Sequence, residues 1–262
     1  MTAVHLTVWD ETRAGADTVL LVHGTMTWGA ACFQAQRPLA RHYRLLVMDR
    51  RGFGDSPDID RSDYEVDAAD VVELLGDGAH LVGHSYGGVV AMLAAGLRPQ
   101  SVRSLALIEP SCFSVAAHDP TVAAALERMR EGVRNLPEDM SAEEYLRLSA
   151  EPLGVEVPTP TPLALRAARS AMRERPSWEA EVPVAPLAKA SWPKLVISGT
   201  WENASPRYLA FAGEPLMACA RISAEVIGAE HLRVPGAGHE PHRERPELVN
   251  TALHDLWEGR QR

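Results

Sequence analysis

Residues 83–87 read Gly83-His84-Ser85-Tyr86-Gly87, and Gly88 follows. They stand between segments of opposite periodicity: the apolar run Ala79–Val82 ahead, and Val89 to Leu97 behind, where apolar residues continue at helical spacing. A serine on a strand-to-helix turn, with glycine two positions to either side, restricts the backbone severely. The turn is so tight that a Cβ at either glycine would meet neighbouring backbone, and the serine takes a strained conformation that lifts its Oγ clear of the sheet. Because the serine opens a helix, free backbone N–H groups point at whatever it faces.

The surrounding pattern predicts the sheet that such a turn needs. Thr18–Val22, Arg44–Met48, Ala79–Val82 and Val102–Ile108 are continuous apolar runs, the mark of strands covered on both faces, and Val4–Trp9 alternates as a half-buried edge strand does. Between them Trp28–Arg41 and Tyr64–Leu75 read as helices, with Ser62 or Asp63 as cap of the second. This alternation implies right-handed crossovers and a mostly parallel sheet. From about Phe113 to Ala190 the strand pattern stops. Amphipathic stretches near Thr121–Asn135, Ser141–Ser149 and Pro162–Arg175 replace it, joined by a proline-dense link from Pro152 to Pro162. Strands at Lys194–Ser198 and His231–Val234 and helices at Glu214–Ile227 and Pro246–Trp257 then resume the earlier theme. The expected organisation is one α/β core, residues 1–112 and 191–262, carrying a helical insert at 113–190.

Bulk properties exclude several classes. A chain of 262 residues buries enough surface to stand without metal or disulfide staples. Cys32, Cys112 and Cys219 are too few and too scattered for a disulfide framework or zinc site, and read as small core residues. With no basic-then-apolar leader in Met1–Asp10, the cysteine usage points to a reducing cytoplasm. A net charge of −9 without a basic stripe argues against nucleic acid, and no run is long enough to span a membrane. Nothing marks an oligomeric interface.

Four motifs in order, His23-Gly24-Thr25, Asp49-Arg50-Arg51-Gly52-Phe53-Gly54-Asp55-Ser56, Gly83–Gly87 and Gly236-Ala237-Gly238-His239, resemble those of the α/β-hydrolase superfamily. The likeness covers essentially the whole chain apart from the insert. It implies an α/β-hydrolase fold, a mostly parallel central sheet flanked by helices with an inserted helical cap, and a serine hydrolase that needs neither cofactor nor metal. Ser85 is then the nucleophile. A hydroxyl needs a base to take its proton, and His239, in a glycine-flanked loop after the last strand, is the best of ten histidines, with His242 as its rival. The resemblance places the oxyanion donors at the backbone N–H groups of Thr25 and Tyr86. The Asp49–Ser56 segment lacks the lysine of a phosphate loop and reads as a structural turn at the sheet's carboxyl edge.

The third member departs from the family's usual pattern. Where an acid commonly follows the strand after the insert, this chain has Gly199-Thr200-Trp201-Glu202. Glu109, in Leu107-Ile108-Glu109-Pro110 and 24 residues after Ser85, is the second candidate and the preferred one. Met26, Trp28, Cys112 and Phe113, beside Tyr86, are the expected apolar wall of the pocket. A capped apolar pocket suits a small to medium hydrophobic ester, lactone or thioester. Carbon–carbon bond hydrolysis or perhydrolysis at the same residues, and a non-hydrolytic cyclase-like or ligand-binding relative, remain open alternatives.

Overall fold

A computed structural model describes residues 4–12, 15–137 and 139–260. Among the described residues seven strands, β1 (Leu6–Trp9), β2 (Thr18–Val22), β3 (Arg44–Met48), β4 (Ala79–His84), β5 (Val102–Ile108), β6 (Lys194–Gly199) and β7 (Glu230–Val234), form one sheet in the order β1-β3-β2-β4-β5-β6-β7. β1 pairs antiparallel to β3 at one edge, and every other pair is parallel.

The continuous apolar runs are explained by two cores, one on each face. Leu20 and Val22 of β2, Leu81 of β4 and Leu105 and Leu107 of β5 enter one core. Their alternate neighbours Val19, Leu21, Val82, Ala106 and Ile108 enter the other. The two-residue period of a strand therefore feeds both faces, and no polar residue is needed in between.

The first core is covered by α2 (Tyr64–Leu74) and α3 (Tyr86–Leu97). The other is covered by α1 (Gly29–Phe33) with the segment that follows it, and by the closing helix described below. Trp28–Arg41 is not one helix: α1 gives way to a 3₁₀ segment over Gln34–Arg41, which contains Pro38. Pro38 has no N–H for an α-helical bond, so the chain tightens there.

Between β5 and β6 lie α4 (Pro120–Arg134), α5 (Ala142–Ala150), α6 (Pro162–Met172) and α7 (Val184–Lys189). Local chemistry sets their starts. The side chains of Asp119, Ser141 and Thr161 accept backbone N–H groups of the first turns, and Pro120 and Pro162 occupy first-turn positions where an N–H is dispensable. Asp63, rather than Ser62, caps α2 in the same way. After β6 the chain makes a short turn, α8 (Pro206–Tyr208), a π-helical turn over Leu209–Gly213, and α9 (Glu214–Ile227). After β7 come α10 (Pro241–Glu244) and the closing helix α11 (Pro246–Trp257).

The Asp49–Ser56 turn does more than end a strand. Asp49 accepts the N–H of Gly29 at 2.8 Å and of Asp55 at 3.0 Å, fixing the turn against α1. The outer side of the turn seats α6: Arg166 donates to the carbonyls of Gly54 and Ser56, and Ser170 Oγ donates to Gly52 O. Arg50 is wholly buried beneath it. Its guanidinium meets Asp67 of α2 at 2.9 Å and Glu174, just past α6, at 2.7 Å, and donates to the backbone carbonyls of His23 and Gly24. The rings of Phe53 and Tyr86 lie 4.4 and 4.3 Å from its central carbon.

Burial alone would lower the Arg50 pKa, but Glu174 and Asp67 more than offset it. Two carboxylates share this one guanidinium, and burial raises both, pushing Asp67 up to about 6. An acid whose folded pKa is raised favours folding below its unfolded value, near 3.8, and loses that contribution as pH climbs to about 6. Two outcomes are expected in thermal melts. Arg50→Met strands both carboxylates and lowers stability by about 3–5 kcal/mol. Asp67→Asn becomes progressively less harmful relative to the parent between pH 4 and pH 7.

Candidate active site

The turn from β4 into α3 holds Ser85 at φ 53° and ψ −118°. A Cβ on Gly83 would lie 2.2 Å from the Gly87 carbonyl oxygen, and one on Gly87 would lie 2.2 Å from that of Val22. Both glycines are therefore dictated by close backbone approach. His239 arrives on the loop after β7, with Nε2 3.1 Å from Ser85 Oγ. Its Nδ1 faces Glu109 Oε2 at 3.5 Å, an ion-pair distance rather than a closed hydrogen bond.

Glu109 follows β5 directly and is fully buried. Its backbone adopts φ 45°, which turns the side chain across the carboxyl edge of the sheet toward His239. The other oxygen, Oε1, accepts the N–H of Gly199 at 2.7 Å and the indole N–H of Trp201 at 3.3 Å. Glu202 is exposed, and among the described residues no hydrogen bond or ion pair joins it to His239. The loop after β6 thus offers donors to a carboxylate that β5 supplies. Trp201 itself sits at φ 57° with its ring 6.2 Å from that of His239.

The four non-glycine residues with positive φ among those described are Met26, Ser85, Glu109 and Trp201. Strain of this kind persists only where the surroundings over-determine it, and it collects at functional sites. Met26 belongs to the loop His23–Trp28, whose Gly24 passes so near the elbow that a Cβ would sit 2.9 Å from the Ser85 Cβ. Thr25 on this loop is exposed and Tyr86 is buried. Neither backbone N–H has an acceptor among the described residues. The Tyr86 hydroxyl donates to the carbonyl of Arg175 at 3.0 Å, tying the residue after the serine to the segment beyond α6.

The residues expected to form an apolar wall divide into two groups. Met26 packs against the cluster of Ala142 and Leu146 of α5 and Ala168 of α6, so apolar side chains of the helical segment do meet the loop after β2. Trp28 is partly buried ahead of α1. Cys112 and Phe113 are buried in the core. The Cys112 Sγ lies 2.7 Å from Ser223 Oγ on α9, and burial pushes its thiol up to about 11.

Three participants are not apparent from the sequence. Trp201 was visible only as a neighbour of Glu202. Arg50 was one arginine of a glycine-rich turn, and His84 one residue of the elbow. Their partners lie far along the chain, 92 residues for Trp201 with Glu109 and 155 for His84 with His239, and such pairings leave no local periodicity to read.

Comparison with known proteins agrees with this architecture. The chain belongs to the alpha/beta hydrolase family, whose profile matches residues 19–252. A pimeloyl-acyl-carrier-protein methyl ester esterase of Aeromonas salmonicida is 38% identical over 112 residues, which span 42% of this chain and 44% of that protein. The Edwardsiella ictaluri esterase of the same name is 26% identical over 272 residues, 96% of this chain and 97% of its own length. Among solved structures, a thermophilic esterase from Thermogutta terrifontis superposes with a TM-score of 0.61 at 27% identity, covering 98% of this chain and 94% of that one.

A fluorophosphonate probe, read by intact mass, is expected to label the protein once, and Ser85→Ala to abolish labelling. Glu109→Gln should slow labelling by about 10²-fold or more, whereas Glu202→Gln should leave the rate within about threefold of the parent. Equal slowing by both glutamines would refute the assignment of one acid.

Proposed function

We propose that this protein hydrolyses a small to medium hydrophobic carboxylic ester or lactone through an acyl-Ser85 intermediate. The observation that carries the reading is the continuous path from Ser85 Oγ to His239 Nε2 and from His239 Nδ1 to Glu109, built at an elbow of strained backbone. His239 takes the Ser85 proton as Oγ attacks the carbonyl carbon, and Glu109 stabilises the imidazolium that forms. Contacts of this kind tighten as charge develops, so 3.5 Å between His239 and Glu109 is compatible with that role. The N–H groups of Thr25 and Tyr86 receive the oxyanion. The imidazolium then protonates the leaving alcohol, and the same base activates water to release the acid and restore Ser85.

Residues 113–190 act as the lid in this reading. The packing of Met26 under α5 and α6 supports an apolar acyl site between lid and core. The esterase names of the relatives support a carboxylic ester as the bond cleaved. Each step is balanced by water alone, so no cofactor or metal is assigned. The unpaired, buried Cys32, Cys112 and Cys219 suit a reducing cytoplasm, and no helix among the described residues is long and apolar enough to cross a membrane. A small-molecule substrate, rather than nucleic acid, fits the net charge of −9.

The test is stopped-flow kinetics with p-nitrophenyl esters of increasing acyl length. A stoichiometric burst is expected, with the highest kcat/KM on short to medium chains and a loss of about 10⁴-fold or more in Ser85→Ala. Absence of both burst and turnover across the series would overturn the hydrolase reading.

A further inference from the structure

His84 stands immediately before the serine, at the last position of β4, and is buried. Its Nε2 lies 2.9 Å from the backbone carbonyl oxygen of His239. A carbonyl only accepts, so this nitrogen carries the ring proton, and Nδ1 is left as an acceptor facing the Cys32 Sγ at 3.6 Å. Cys32 in turn lies 3.5 Å from His242 Nε2, which is also 3.1 Å from the Cys32 carbonyl. The His84 ring is thereby wedged, with ring centroids 4.9 Å from His239 on one side and 4.6 Å from His242 on the other. Gly24 closes a third side: a Cβ there would come within 3.1 Å of His84 Nδ1.

The thiol and the two imidazole nitrogens lie within 4.8 Å of one another. Metals bind the thiolate, however, and burial pushes the Cys32 thiol far up while it holds His84 and His242 well below the ordinary histidine range. A neutral thiol between neutral imidazoles is a hydrogen-bonded wedge.

The His239 loop is gripped from outside as well. Glu244 accepts the N–H of Gly238 at 3.0 Å and of Glu240 at 3.1 Å. The peptide between them, at His239 itself, is held by His84. We propose that His84 is a positioning residue: its Nε2–H, donated to the His239 carbonyl, fixes the distance of the catalytic imidazole from Ser85. It touches no reacting atom, and the inference rests on the Ser85–His239 reading above. The elbow thus sets the placement of both partners, presenting Ser85 outward and gripping the backbone of His239 with the adjoining side chain. An error of about 1 Å between reacting groups costs on the order of 10²-fold in rate, which is the scale at stake.

Glutamine, asparagine and leucine separate the two ends of the ring. The glutamine amide reaches the depth of Nε2, the asparagine amide only that of Nδ1, and leucine offers no donor. With p-nitrophenyl butyrate, His84→Asn and His84→Leu are expected to lower kcat by about 10- to 100-fold with KM within about threefold of the parent. His84→Gln should recover to within about fivefold of parental kcat. Melting temperatures are measured alongside. Parental kcat in His84→Leu, or losses that follow the melting temperature in all three variants without rescue by glutamine, would overturn the role. Ser85→Ala in the same assay tells the two failures apart: if it still turns over, the serine mechanism itself is wrong, whatever the His84 series shows.

Discussion

A guanidinium with no access to water must find all its compensation inside the protein, and Arg50 finds it in four separate parts of the chain. Asp67 comes from α2, Glu174 from beyond α6, the carbonyls of His23 and Gly24 from the loop after β2, and the Tyr86 ring from the first turn of α3. Removing any one leaves charge or polarity stranded in low dielectric, so these parts are fixed relative to one another. Two of them, the Gly24–Thr25 loop and Tyr86, carry the N–H groups assigned to the oxyanion. A third belongs to the helical segment that lies over them. Donors in the proposed role are effective only if they do not reorient during reaction, and the buried ion cluster ties together both segments that carry them.

Backbone strain marks the other half of the arrangement. Ser85, Glu109 and Trp201 adopt left-handed φ values at the ends of β4, β5 and β6. Consecutive parallel strands thus end in sharply turned residues whose side chains converge at one edge, as carboxyl ends of parallel strands commonly do. The cost is met by specific bonds: Ser85 N–H to Ile108 O, Glu109 N–H to Ile197 O and Trp201 N–H to Ala237 O. Each of these three residues is pinned by the strand or loop beside it.

The sheet, its two covered faces and the helical break after β5 were legible because each leaves a periodic trace in the sequence. Ser85 and His239 were legible because glycines that permit close backbone approach are themselves sequence features. The acid was not resolved to one residue. Glu109 and Glu202 both end strands, and only the geometry shows that β5 turns its glutamate inward while the β6 loop turns Trp201 in and leaves Glu202 at the surface. The spacing over Trp28–Arg41 reads as one helix because hydrophobic periodicity hides the effect of Pro38. The work of Arg50 and His84 was invisible for a different reason: buried polar residues show their meaning only through partners far away along the chain.

With Glu109 as the acid, nucleophile and acid belong to a single strand–helix–strand unit, β4–α3–β5, and only the histidine is imported from elsewhere. The loop after β6 then supplies donors to that acid, the Gly199 N–H and the Trp201 indole, and braces the His239 loop through Trp201 N–H to Ala237 O. Within the stretch that follows, Glu202 lies at the surface, whereas Asn203 donates to the Gly236 carbonyl and Tyr208 and Gly213 pack against the Trp201 ring. In evolutionary terms a lineage built on this plan can change the surface residue Glu202 while the carboxylate that faces His239 stays in register with the sheet.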